Sequence, residues 1–449
     1  MQEASRELAG FLVSTGFQDL PDAVVSKTVE LVIDHFGVAL FGATTPWAQK
    51  VTRLLASQGG KAECSVYAAG FKTTPQNAAL ANGTMGHAFE LEDTLSTFHP
   101  GAVVIPAALA VAERERSSGK DLITAVVLGY EVMARVAAAV HDTAITRRGH
   151  HPTGVTGSLG AAAAAGKLLK LGGAELVPAL GLASNMTTGT MQFAQEGAME
   201  KRLFAGKASH DGVLSALLAA EGYTAAASSI DGEYGFCRAF DSQPDLPALT
   251  GDLGISFRIT MTELKPYACC RLIHSPIDAA ISLARGHDIK PEDISEVVLY
   301  GNQNAVSSQH CFYDVTGVQA AQYSIPYCLA AALVHRRIDT GSFSEAAFRE
   351  PATLALMRRV RVEYDSEIDP AGQMAKLAVR LRNGESFAET VYKARGTPER
   401  PFSEVELTEK FYSLATATLP RPKADALLRL TRTLAEQEDI TGLVQTLRG

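Results

Sequence analysis

Cysteine is scarce: six residues (Cys64, Cys237, Cys269, Cys270, Cys311 and Cys328) are scattered through 449. So few thiols imply no disulfide framework. The first residues, MQEASRELAGFLVSTGF, lack a basic segment followed by an unbroken apolar run, so no secretory leader is expected. The expectation is a cytoplasmic protein with reduced thiols. A surplus of positive charge is also missing: the formal charge is −8 and the isoelectric point is near 5.8. Nucleic acid and anionic membrane are bound through excess Lys and Arg, so neither is expected as a partner. An anionic substrate must instead be held by a local basic cluster. No segment is expected to supply the ~20 strongly apolar residues of a membrane span. The Pro152 to Gly166 stretch is Ala and Gly, short and mildly apolar. A P-loop, a Gly-rich dinucleotide turn after a strand and a G-x-S-x-G elbow are all absent, which removes the common nucleotide and serine-hydrolase readings. Internal repeats and low-complexity segments are absent too.

What is present is a globular composition, 46% hydrophobic and 20% charged, in a chain long enough for two domains. From Pro21 to about Gly254 the sequence reads as successive helices. Val25, Val29, Val32, Phe36 and Leu40 recur at helical spacing and end at Gly42. Asp121 is expected to cap a helix from Leu122 to Val140, apolar nearly all round and therefore buried. Val155 to Leu171 is a second, rich in Ala and Gly and stopped by Gly172-Gly173. Ser209-His210-Asp211 is expected to open a third, Val213 to Glu221.

After about Ser256 the pattern turns partly extended. Ser295 to Gly301, Val360 to Tyr364 and Lys376 to Leu381 carry strand patterns, and Arg382-Asn383-Gly384 marks a hairpin. Ser403 to Arg448 returns to helical spacing. The expected fold is mainly α, with an all-α domain over residues 1–254 completed by C-terminal helices over 398–449. A smaller α/β lid domain is expected over 255–397.

Four segments collect reactive side chains. Asn82 to Pro100 places Glu90, Glu92, Asp93, Thr94 and His99 between two helices, where scaffold helices can aim them at a cavity. The same acids would serve equally as helix-end charges. Arg147-Arg148-Gly149-His150-His151-Pro152 precedes a helix start, which favours a bound carboxylate or, as readily, solvated loop charges. Glu200 to His210 is basic, with Lys201, Arg202, Lys207 and His210, and is read as leading into a helix or as a soluble turn. Lys265 to Ala280 contains Cys269, Cys270, Arg271 and His274. Adjacent cysteines with no second pair make a poor zinc site, so no metal is expected. Lys265, Arg271 and His274 would lower a cysteine pKa, which leaves a catalytic thiolate open, but packed, inert thiols are the expectation.

In this order the segments resemble the MmgE/PrpD family. The most specific pieces are the N-G-x₃-H-A-x-(D/E)-x-(D/E)-D-T…H-P block at Asn82 to Pro100 and the K-P-Y-x-C-C-x₃-H-x₃-D-A block at Lys265 to Ala279. His-Pro before the Ala-rich helix and Tyr-Ser-Ile-Pro-Tyr ending at Tyr327 support them. The resemblance implies a cofactor-independent lyase at the junction of two domains, and a homodimer. The apolar Leu122 to Val140 helix, which needs cover on every side, supports the same expectation of a partner subunit.

For the chemistry, the resemblance implies a small di- or tricarboxylic acid substrate and proton transfer beside a carboxylate. Dehydration of the 2-methylcitrate type is the first expectation, and decarboxylation of cis-aconitate type, epimerisation of iminodisuccinate type and an inactive carboxylate-binding homologue are the alternatives. Histidine suits proton transfer near neutrality, and fixed cations suit carboxylates. His99 is therefore expected as the principal proton-transfer group, oriented by Asp93 or Thr94, with His151 and Tyr327 as partners. Lys265, Arg271, His274, Lys207, His210 and Cys270 are expected to bind substrate. Phe204 stands where relatives often carry histidine, and Glu90 and Glu92 where many carry aspartate.

Overall fold

The computed structural model describes residues 4–196, 198–368 and 373–448. The fold is mainly α. Its longest helices are Asp22–Gly42, Gly119–Ala139, Pro152–Leu168 and Lys201–Ala220. The first spans the expected residues, and Leu31 to Leu40 are all buried within it.

Three helix starts differ from expectation: the Ala-rich helix begins at Pro152, not Val155, and ends at Leu168, while Gly172-Gly173 opens the next helix, Gly173–Asn185. Ser118, not Asp121, is the N-cap of Gly119–Ala139: its hydroxyl accepts from the Asp121 N–H at 3.2 Å, and the Asp121 carboxylate accepts from the Ser118 N–H at 3.2 Å. This reciprocal box starts the helix earlier, with Asp121 in its first turn. Ser209-His210-Asp211 lies in the interior of Lys201–Ala220 and opens nothing. Its polar residues mimic a turn because the first half of that helix is buried against other polar groups.

Contrary to the expectation of no such segment, Gly119–Ala139 is long and apolar enough to cross a membrane by composition. It is nevertheless 94% buried over its most apolar window, packed with Ala107, Val111 and Ala161 in the largest core. Its apolar girth is thus covered within one chain and does not call for a second subunit.

Small residues let the helices approach closely. A Cβ at Gly83 would lie 2.8 Å from the Cα of Gly206, so Pro75–Gly86 and Lys201–Ala220 can cross only where both carry glycine. That crossing brings Lys201 and Arg202 to the end of the helix that His87 follows.

The strand expectations hold. Ile294–Gly301 pairs in parallel with Val360–Tyr364 and antiparallel with Ala375–Leu381, which forms the expected hairpin with Ser386–Val391. Gly384, at φ +93, supplies the left-handed residue of that turn. A second sheet, the short pair Cys64–Ser65 and Lys72–Thr73, was not foreseen. Helices His274–Gly286 and Ile325–His335 join the four-stranded sheet in one core through Ile277, Leu283 and Leu329 against Val297, Leu299 and Val379. The helix Glu404–Ala415 returns to the N-terminal half, where Leu407 and Phe411 pack with Phe36 and Leu40.

Candidate active site

Between Pro75–Gly86 and Gly101–Glu115 the chain makes a tight excursion that carries His87, Glu90, Glu92, Asp93, Thr94 and His99, all buried. Glu90 and Ser96 sit at φ +58 and +54, a left-handed conformation that non-glycine residues seldom adopt. Such strain persists only where surrounding contacts fix it, and it gathers at functional sites.

At Glu90 those contacts are three cations. Its carboxylate pairs with Lys201, with Arg202 at 2.8 Å and with Lys265 at 3.3 Å. The Tyr323 hydroxyl lies 3.3 Å from the same carboxylate and accepts from Lys201 at 2.8 Å. Arg202 also donates to the Gln322 side chain at 2.9 Å and lies over the Trp47 ring. Burial alone would push the Glu90 carboxyl up, but Lys201, Lys265 and Arg202 hold it well below the usual range.

Three imidazoles lie alongside. The His87 ring is 5.1 Å from that of His99 and 5.7 Å from that of His151, centre to centre. His99 Nδ1 lies 2.9 Å from the Asp93 backbone carbonyl, which accepts only if that nitrogen carries the proton. This leaves Nε2 as the nitrogen that can receive or deliver a proton. The His99 backbone N–H donates to the Thr153 hydroxyl at 3.0 Å, in the first turn of Pro152–Leu168. Burial and the field of Lys265 bring the His99 pKa down to about 3, so the ring is neutral in the resting protein. His151 is the N-cap residue of that same helix, fixed by its N–H to the Gly189 carbonyl at 3.0 Å. Its ring lies against Phe193 and Phe204, and burial holds its pKa well below the ordinary value.

Of Asp93 and Thr94, either of which is expected to orient His99, Asp93 contacts the ring, through its backbone carbonyl. The Asp93 carboxylate instead accepts from the Tyr130 hydroxyl at 2.6 Å and the Gly101 N–H at 2.9 Å, and burial pushes it up to about 7. A Cβ at Gly101 would lie 2.6 Å from that carboxylate, so glycine is required there. The Thr94 hydroxyl is spent in its own turn, donating to the Phe98 carbonyl at 3.3 Å.

Lys265 is buried at the centre, with His274 and Cys270 close by in sequence. His274 Nε2 lies 3.2 Å from the Cys269 carbonyl, and burial together with Lys265 lowers its pKa to about 3. Cys270 is a protonated thiol: burial pushes it up to about 11 despite the nearby lysine.

Four expected residues do not join the cluster. Arg271 pairs with Glu263 at 3.2 Å. Lys207 and His210 both turn to Asp211 on their own helix. Tyr327 donates to the Ser342 carbonyl and lies in the core around the sheet. Conversely, the sequence assigns no specific role to His87, Glu92 or Tyr323, and Lys201 and Arg202 stand there only in a basic segment read as leading into a helix or as a soluble turn. The signal available was their place inside the same reactive segments.

The assembled site sets three cations, Lys201, Arg202 and Lys265, beside the carboxylates of Glu90, Glu92 and Asp93 and three imidazoles with lowered pKa values. Such a set can take up an anion with several carboxylates and move a proton next to it. Comparison with known proteins agrees in kind. Residues 6–248 match the MmgE/PrpD N-terminal domain and residues 267–436 the MmgE/PrpD C-terminal domain. A cis-aconitate decarboxylase of Aspergillus terreus (strain NIH 2624 / FGSC A1156) is 29% identical over 98% of this chain and 95% of its own length. The cis-aconitate decarboxylase of Homo sapiens is 27% identical over 96% and 91%, and that of Mus musculus 25% over 100% and 94%. The chain belongs to the MmgE/PrpD family.

Proposed function

We propose that this lyase decarboxylates an unsaturated di- or tricarboxylic acid of the cis-aconitate type, with His99 delivering a proton to carbon. The observation that carries the reading is the grouping of His87, His99 and His151 beside Lys201, Arg202 and Lys265. Relatives that align over nearly the full chain are cis-aconitate decarboxylases, which favours loss of carbon dioxide over the dehydration placed first by the sequence.

The chemistry can be written in one step. The bond from carbon to the departing carboxylate breaks and its electron pair forms a new C=C bond. The electrons of the old C=C bond take a proton from His99 Nε2, and carbon dioxide leaves. Solvent then returns the proton to His99. The fixed cations hold the remaining carboxylates and stabilise charge that builds up on them as the bond breaks.

A neutral His99 cannot donate that proton, and the resting ring is neutral. Arrival of a polyanion beside Lys265 and Lys201 offsets the two fields that help depress its pKa. The acid is therefore formed as substrate binds.

The test is NMR product analysis after incubation with cis-aconitate, citrate, 2-methylcitrate and iminodisuccinate. Release of carbon dioxide from cis-aconitate supports the proposal. Water loss from a citrate, epimerisation or no reaction overturns it.

A further inference from the structure

Glu92 differs from Glu90 in one respect that its surroundings do not explain as structure. It is 2% exposed, yet among the described residues neither carboxylate oxygen has a hydrogen-bond donor beyond the His87 ring. A buried carboxylate is ordinarily satisfied by several donors, because burial without them is costly. What Glu92 has instead is charge and imidazole. Its Oε1 is 3.0 Å from His87 Nδ1, 3.7 Å from His99 Nδ1 and 3.9 Å from Lys265 Nζ. Lys201 acts on it from the Lys201–Ala220 helix, and Asp34 and Asp93 repel it from behind. Burial pushes its carboxyl up, but Lys265 foremost offsets this and holds it well below the ordinary range.

His87 completes the arrangement. Among the described residues its Nε2 has no hydrogen-bond partner and its Nδ1 faces Glu92, and it is the C-cap residue of Pro75–Gly86, an end that favours positive charge. An ionised carboxylate therefore faces two imidazoles at a place where a third charge, a proton on either ring, would satisfy it. Lysine already balances Glu90, whereas Glu92 is balanced fully only when a histidine is charged.

We propose that Glu92 is the positioning residue of the reaction: it is the fixed counter-ion of the imidazolium that His99 becomes in the substrate complex. The proposal rests on the reading of His99 as proton donor and adds what keeps the proton there. His87 shares the same carboxylate and links the rings of His99 and His151. An opposite charge within about 4 Å commonly raises a histidine pKa by ~1–3 pH units.

The test is the pH dependence of kcat with cis-aconitate for the wild type, Glu92→Gln, Glu92→Asp and His99→Ala. The limb governed by His99 should fall with rising pH. In E92Q it should move down by about one pH unit or more, with neutral-pH kcat at least ~10-fold lower and KM within about 3-fold. E92D, which keeps the charge, should stay near the wild-type limb. A folded E92Q with the wild-type limb overturns the proposal, because a packing role would not hold the limb in place by charge.

A second arm needs neither turnover nor the Gln variant. In ¹⁵N-histidine NMR of wild-type protein saturated with propane-1,2,3-tricarboxylate, His99 should carry protons on both nitrogens at pH 6. A neutral His99 in that complex overturns the proposal even if E92Q fails to fold. Full activity of H99A would instead overturn the proton-donor reading, and the NMR arm tells the two failures apart.

Discussion

The ammonium group of Lys265 lies 3.3 Å from the carboxylate of Glu90, joining segments 175 residues apart in the middle of a buried site. Glu90 keeps Lys201 and Arg202 when that contact is removed, so the fold should survive Lys265→Ala with a loss of about 1–3 kcal/mol. Substrate binding should suffer more: KM should rise at least as much as kcat falls, because an unpaired substrate carboxylate is costly in ground and transition states alike. Steady-state kinetics with a melting curve check this, and an unchanged KM would remove Lys265 from substrate binding.

Tyr323 and Tyr327 are one helical turn apart in sequence but belong to different environments. The Tyr323 hydroxyl bridges Lys201 and Glu90, while that of Tyr327 donates to the Ser342 carbonyl. Tyr323→Phe should lower kcat/KM by about 10-fold or more, as expected when a polar partner of the reacting groups is lost. Tyr327→Phe should cost only about 1 kcal/mol of stability and leave kcat nearly unchanged. Loss of activity confined to Y327F would reverse this assignment.

Buried histidines should make the protein sensitive to mild acid. Burial lowers His35, His99 and His274 to about 3 and His310 to about 4, and His87 and His151 are lowered as well. In the unfolded chain each takes a proton near pH 6.5. Their stabilising contribution is therefore complete above that pH and is lost as pH falls toward the folded values, at about 1.4 kcal/mol per histidine per pH unit. Asp93, raised to about 7, and Asp34 and Glu131, also raised, act in the opposite sense: their contribution is complete at low pH and is lost as pH rises. Six histidines against three acids give a net loss of stability from pH 6.5 to 5. Urea midpoints across that range should fall, and a flat or rising midpoint would contradict the assignment of neutral buried rings.

Ligand binding should take up a proton. If a polyanion turns His99 from neutral to charged, calorimetry of propane-1,2,3-tricarboxylate binding at pH 7 should show heats that vary with the ionisation enthalpy of the buffer. The slope should correspond to uptake of about one proton, and it should vanish in His99→Ala. A slope of zero in the wild type would mean that the proton donor is charged before substrate arrives, or is another group.

Much of the fold was legible because it is local. The Val25 to Leu40 periodicity and the Arg382-Asn383-Gly384 turn each encode their element within a few residues. The Lys201–Ala220 helix was misread at its start because Lys201, Arg202, Lys207 and His210 resemble a solvated turn, whereas the crossing of Gly206 on Gly83 buries Lys201 and Arg202 and leaves Lys207 and His210 partly exposed. The four reactive segments were legible as well, but the division of labour within them was not. Glu90 meets Lys201 and Arg202 across more than 100 residues, and nothing in the local pattern separates it from Asp93, whose carboxylate serves Tyr130 and the Gly101 N–H. Tyr327 drew notice through its motif, while the neighbour four residues earlier carries the contact.

The most direct measurement combines the proton and the carbon. Wild-type protein and His99→Ala should be incubated in D₂O with cis-aconitate bearing ¹³C in its carboxylates, and products followed by NMR. The account predicts labelled carbon dioxide and a product alkene with one deuterium at the carbon protonated in the step, both slowed about 10²–10⁴-fold in a folded His99→Ala variant. Intact substrate in the wild type, carbon dioxide without deuterium in the product, or wild-type rates from His99→Ala would contradict it.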